Sequence, residues 1–99
     1  SNIAKKRGNK IKTAATYIGI LNKKSQLKKI SKKFKVPLTR IAYIGDDLND
    51  LEIMKLVGFA AMPADGIKDL QKIVDYVCKN NGGHGAFREI ADLLVLSRH

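Results

Sequence analysis

Four short apolar runs punctuate the chain: "TYIGI" at 16–20, "RIAYIG" at 40–45, "FAAM" at 59–62 and "DYVC" at 75–78. Apolar residues fill consecutive positions in them rather than alternating with polar ones. A strand of that kind has no face to offer water. It is stable only in the middle of a sandwich, with helices covering both sides of a parallel sheet. The runs are separated by stretches with helical spacing, so strand and helix alternate along the chain. This predicts an α/β architecture with a mainly parallel sheet. In such sheets ligands bind at the loops that leave the carboxyl ends of the strands.

The intervening stretches support that reading. Residues 22–36 place Leu27, Ile30 and Phe34 at helical spacing among lysines, and Pro37 closes the segment. Residues 46–58 read as a loop turning into a helix, with Asn49 or Asp50 as N-cap and Gly58 as the stop. Residues 65–74 are expected to be a helix with Ile67, Leu70 and Ile73 or Val74 inward. "KNNGGHG" is a turn, and 86–97 a final amphipathic helix. Residues 1–15 form a polar, basic segment, and the main unit spans 16–99. The leading "SN" is taken as an expression scar and carries no weight in the fold.

A chain of 99 residues with 44% apolar content can build one small core. Its stability margin is thin enough that oligomerisation would help. No run approaches the roughly 18 apolar residues of a membrane-spanning helix. No apolar signal core follows the basic start, and the single Cys78 has no internal partner, so the cytoplasm is the expected compartment.

Charge is unevenly distributed. The net charge is +10, yet the first acid is Asp46, and 13 of the 19 basic residues precede it. This asymmetry suits a nucleic-acid partner, a solvated helix face or a basic rim around an anionic substrate. No aromatic residues interleave the lysines at stacking spacing, which argues against the nucleic-acid binder.

Within that basic chain, "IAYIGDDLND" places Asp46, Asp47 and Asp50 just after an apolar strand. Like charges this close disfavour joint ionisation unless something neutralises them. Mg²⁺ does so: it prefers carboxylate oxygens, keeps several waters and bridges to substrate phosphate. Gly45 would let the backbone turn so that the acids point off the sheet edge. In the plainer alternative, Asp50 caps a helix and the other two are solvated. Spacing alone leaves both standing.

"YIGDDLNDLEIM", "VGFAAMPADG", "VDYVC" and "GGHGAFREI" occur in this order, and together they resemble the C-terminal half of the haloacid dehalogenase superfamily. The resemblance runs from about residue 17 to 96. More narrowly, the chain resembles phosphatases of 3-deoxy-D-manno-octulosonate 8-phosphate and the related domain of N-acylneuraminate cytidylyltransferases. That implies a Rossmann-like three-layer core, of which only the C-terminal portion is present here. It also implies a Mg²⁺-dependent phosphatase acting on a phosphorylated 3-deoxy sugar acid, and a homotetramer.

The resemblance assigns roles by position. Asp46 would ligate Mg²⁺, with Asp47 a weaker ligand or a supporting acid. Asp50 would hold the active-site lysine or a metal-bound water. Lys23, four residues after Gly19, would be that lysine and neutralise the phosphoryl group; Lys24 is its adjacent alternative. Gly82 and Gly83 would sit in a loop near the substrate pocket, with Arg88 able to pair with a phosphate or carboxylate. A surface pairing of Arg88 with Glu89 or Asp92 is the alternative. Cys78 reads as a small buried side chain rather than a nucleophile.

The chain also departs from the pattern. The superfamily's nucleophilic aspartate and its acid/base partner, two residues on, end the first strand. Here no Asp or Glu precedes position 46. Two expectations follow. Either the chain is the C-terminal part of a longer phosphatase and inactive alone, or it is a non-catalytic assembly domain attached to or partnering a cytidylyltransferase.

Overall fold

The computed structural model describes Tyr17 and residues 19–96. The basic segment 1–15 and the end of the last expected helix lie outside the described residues. Four strands form one sheet: β1 (Gly19–Leu21), β2 (Ile41–Ile44), β3 (Phe59–Met62) and β4 (Tyr76–Val77), in the spatial order β1-β2-β3-β4. All three pairings are parallel, with Ala42 opposite Ile20 and Phe59, and Met62 opposite Val77. Helix α1 (Lys24–Phe34) links β1 to β2, α2 (Leu51–Leu56) links β2 to β3, and α3 (Ala86–Leu96) follows β4.

The continuous apolar runs are explained by the two cores. Every residue of β2 and β3 is buried. Ile41, Tyr43, Ala60 and Met62 point into one core with Leu27, Ile53, Met54 and Leu70. Ala42, Ile44, Phe59 and Ala61 point into the other with Tyr17, Ala86, Ile90 and Leu94. Neighbouring residues of one strand therefore serve opposite layers, and the chain is the three-layer α/β structure the runs imply.

Several local expectations are corrected. Residues 65–74 do not form an α-helix; only a 3-10 segment, Lys68–Lys72, is present. Leu70 and Val74 are buried, whereas Ile67 stands at the surface. The segment is anchored at both ends: Ile67 N–H donates to the Asp46 carbonyl in the loop after β2, and Asp75 N–H to the Ala60 carbonyl in β3. Within the segment Leu70 N–H donates to Ile67 O and Ile73 N–H to Leu70 O, the three-residue spacing of a 3-10 turn, and Val74 N–H reaches back four residues to Leu70 O. Phe34 is also outward, because α1 ends there in a left-handed Lys35 (φ 52°). The partly buried Val36, past that turn, packs against the core in its place.

Gly58 follows α2, as expected, but not as a left-handed stop. A Cβ at that position would overlap the Thr39 carbonyl oxygen, so the chain passes too close to its neighbour for any side chain.

Candidate functional site

β2 ends at Ile44, and the next six residues build the site. Asp47 starts a 3-10 turn, Leu48–Asp50, by accepting a hydrogen bond from Leu48 N–H at 2.6 Å. The Asp50 side chain reaches backward rather than capping α2. Its Oδ2 accepts from the N–H groups of Asp46 (3.0 Å) and Asp47 (3.2 Å). Its Oδ1 accepts from the Tyr43 hydroxyl at 2.6 Å. Asp50 is the N-cap residue of α2, one of the two expected, but its side chain makes no cap bond because the carboxylate is occupied in ordering the loop in front of it; Asp47 caps the 3-10 turn.

Gly45 makes this geometry possible. A Cβ there would lie 2.6–2.7 Å from Asp50 Cγ, Cβ and Oδ2. Its backbone is not left-handed, so the glycine supplies room for a carboxylate rather than a sharp turn. Tyr43 is fully buried beneath the loop. Burial first, then its hydrogen bond to Asp50 and the charges of Asp50 and Asp46, push its phenol well above the ordinary range. Tyr43 thus stays protonated and remains a donor to Asp50.

Above this loop lies a cleft of about 280 Å³. Asp46 and Asp50 line it, over a floor of Tyr43, Ile44 and Gly45. Asn22 and Lys24, which follow β1, line it on one side of β2. On the other side, beyond β3 and β4, come Pro63, Gly82 and Phe87. The Lys24 ammonium donates to the Asn49 carbonyl at 2.9 Å and so ties the start of α1 to the acidic turn.

A family profile described as haloacid dehalogenase-like hydrolase matches residues 7–90. The chain belongs to that family. The 3-deoxy-D-manno-octulosonate 8-phosphate phosphatase of Escherichia coli (strain K12) is 38% identical over 82 residues, covering 83% of this chain and 44% of the relative. A solved phosphatase of the same name from Moraxella catarrhalis, in complex with magnesium ion, phosphate ion and KDO, superposes with a TM-score of 0.68 at 34% identity. It covers 74% of this chain and 42% of that one. A cobalt-bound deoxy-D-mannose-octulosonate 8-phosphate phosphatase from Haemophilus influenzae has a TM-score of 0.68 at 32% identity, covering 75% and 43%. The chain spans less than half the length of the curated relatives it matches.

Two of the solved relatives hold a divalent cation, magnesium in one and cobalt in the other, and the donor set here fits one share of such a site. Asp46 offers an exposed carboxylate at the cleft, whereas the Asp50 and Asp47 carboxylates already accept backbone hydrogen bonds. Among the described residues no group of three metal-ligating side chains converges. Mg²⁺ is commonly held by one or two protein carboxylates, with water and phosphate completing its shell. The exposed Asp46 carboxylate is compatible with one such position.

The other sequence-selected residues are placed as follows. Lys23 is the exposed N-cap residue of α1 and does not line the cleft, whereas Lys24 does. Asp47 is exposed and turned toward Leu48. Gly82 reaches the cleft, and Gly83 is exposed with open space around it. Arg88 lies away from the cleft, with its side chain 85% exposed and its Nε 3.7 Å from Asp92 on the same helix. Helical geometry dictates this. Ala86, Ile90 and Leu94 form the buried stripe, and a residue two positions from Ala86 and Ile90 projects from the opposite face.

Three residues at the site, Tyr43, Phe87 and Asp65, were not singled out from the sequence, and Glu89 was considered only as a surface partner of Arg88. Asp65 accepts from Gly82 N–H at 2.8 Å. Glu89 accepts from Tyr76, Lys79 and Asn80 and so pins the loop after β4. An acid on the first turn of α3 that faces back along the chain was the available signal for Glu89. Cys78 is buried, and burial first, then the Glu89 charge, raises its thiol to about 12, as suits an inert side chain.

No described helix is long and apolar enough to cross a membrane.

Proposed function

We propose that this chain forms the metal-side and substrate-side part of a Mg²⁺-dependent phosphomonoesterase acting on a phosphorylated eight- or nine-carbon 3-deoxy sugar acid. The observation that carries the reading is the Asp50 carboxylate. It holds the Asp46 and Asp47 N–H groups while Tyr43 holds it, which fixes Asp46 at the mouth of the cleft. The octulosonate phosphatase relatives support the substrate class.

In this reading Asp46 contributes one carboxylate to Mg²⁺. The metal, when bound, offsets charge on the phosphoryl oxygens. Lys23, exposed at the N-cap of α1 beside the cleft-lining Lys24, reaches over the rim to supply the cation that meets the phosphate. Lys24, already engaged by Asn49, pins the acidic turn. Asp47 stabilises the turn and lends negative charge near the metal. The nucleophilic aspartate and its partner would come from sequence upstream, and the whole protein would work in the cytoplasm as a homotetramer.

The test is phosphate release from 3-deoxy-D-manno-octulosonate 8-phosphate by the protein that carries this chain, with Mg²⁺ and with EDTA. Hydrolysis that needs the metal and falls at least a hundredfold in Asp46→Asn is expected. Metal-independent hydrolysis, or full activity in Asp46→Asn, would overturn the reading.

A further inference from the structure

We propose that Asp65 is a positioning residue that sets the substrate-side wall of the cleft by holding the backbone of Gly82. The inference rests on the phosphatase reading and extends it to the part of the site that meets the organic portion of the substrate.

The pairing of β3 with β4 ends at Met62 and Val77, but the chains stay together past that point. Cys78 N–H donates to Met62 O at 2.8 Å, and Ala64 N–H to Asn80 O at 2.9 Å. The next rung is Gly82 N–H to Asp65 Oδ1, at 2.8 Å. The first two rungs use backbone groups alone and need no particular side chain. The third depends on a side chain, so its existence is a choice of sequence.

This rung lies at the cleft. Pro63 and Gly82 both line it, and a Cβ on Gly82 would sit 3.6 Å from Asp65 Oδ1 and 3.7 Å from Pro63 Cγ. The glycine loop therefore rests directly on the 63–66 turn. The other flank of that turn abuts the acidic loop. Ile67 N–H donates to Asp46 O at 3.1 Å, and a Cβ on Gly66 would lie 3.5 Å from Asp46 Cα. One short turn thus spans from the proposed metal ligand to the glycine wall and fixes the gap between them.

The two sides of the cleft differ in chemistry. The β1 side carries Asn22 and Lys24 with Lys23 adjacent, a polar and cationic edge suited to an anion, whereas the far side carries the Pro63 ring, the Gly82 backbone and Phe87. That far side suits the carbon skeleton of a sugar acid better than its phosphate. Loosening the Asp65 latch would thus weaken recognition of a long sugar acid phosphate and spare a small aryl phosphate, which depends on the metal and lysine side.

The experiment compares wild type, Asp65→Ala and Asp65→Asn in the protein that carries this chain. Amide hydrogen exchange is read at Gly82, with Cys78 and Ala64 as internal references. KM and kcat are measured for 3-deoxy-D-manno-octulosonate 8-phosphate and for p-nitrophenyl phosphate. In Asp65→Ala, Gly82 exchange rises about tenfold and KM for the sugar acid phosphate rises about tenfold, the worth of one hydrogen bond. The references and kcat for p-nitrophenyl phosphate stay unchanged. Asp65→Asn keeps an acceptor oxygen and restores both. Unchanged Gly82 exchange in Asp65→Ala overturns the latch. Lost protection with an unchanged sugar KM, or an equal loss on both substrates, overturns the substrate-wall role. A wild type that hydrolyses neither compound sinks the phosphatase reading and that role with it, while exchange at Gly82 still decides the latch.

Discussion

Gly45→Ala is the most exacting test of the site's construction. The added Cβ would fall 2.6–2.7 Å from three atoms of the Asp50 side chain, a separation real Cβ atoms do not show. Gly45 is itself buried at the end of a buried strand, so the backbone has little freedom to retreat. The Asp50 carboxylate must then swing away and give up its bonds from Tyr43 OH, Asp46 N–H and Asp47 N–H. Hydrogen bonds to a charged group contribute about 1.5–3 kcal/mol each when well buried. Two of the three face solvent and recover much of theirs from water. The Tyr43 bond, beneath the loop, has no such replacement. A loss of about 2–4 kcal/mol is expected, at the upper end of single substitutions. Chemical denaturation gives the number directly. A double-mutant cycle with Asp50→Gly isolates the cause, because that partner removes every atom the new methyl would strike. In the Asp50→Gly background Gly45→Ala should cost at least about 1 kcal/mol less. A loss below about 0.5 kcal/mol, or the same loss in both backgrounds, would refute the argument that Gly45 exists to make room for Asp50.

Other expectations concern single groups. The Cys78 thiol, raised to about 12 by burial, should resist a disulfide reagent at pH 8 in the native protein and react at once in denaturant; rapid native labelling would contradict its placement. Burial alone would push the Glu89 carboxyl up, but hydrogen bonds from Tyr76, Lys79 and Asn80 outweigh it and hold the group below its ordinary value. Its contribution to stability is therefore full above the unfolded pKa of about 4.3 and is lost as pH falls through the lower folded value. Urea denaturation across that acid range should accordingly show a shallower loss in Glu89→Gln than in wild type; equal slopes would dismiss the effect. Lys23→Ala should lower kcat of the protein carrying this chain by about a hundredfold. Lys24→Ala should act mainly through the Asn49 tether, with less than a tenfold effect. The reverse ranking, read from steady-state kinetics, would move the phosphate-binding role to Lys24.

The sequence by itself determined the architecture. Runs such as "IAYI" and "FAAM" have no polar face, so only a sheet covered on both sides can hold them, and both cores are where those runs require. It also placed Asp46 at the carboxyl end of a strand, since apolar periodicity stops at Gly45 and acids begin. Motif order sufficed to bring the chain to its family. Direction of side chains was another matter. Nothing local tells that Asp50 turns back to its own loop or that Lys24 rather than Lys23 meets the cleft. Those outcomes depend on which helix stripe the sheet buries and how far each neighbouring turn approaches. The 65–74 segment makes the same point: its apolar spacing is helical, yet the chain, tied to Asp46 and Ala60 at its ends, closes in 3-10 turns. Tertiary structure decided most at Asp65 and Gly82, seventeen residues apart. Their meeting follows from parallel pairing of β3 and β4, a long-range contact that no periodicity in a single segment encodes.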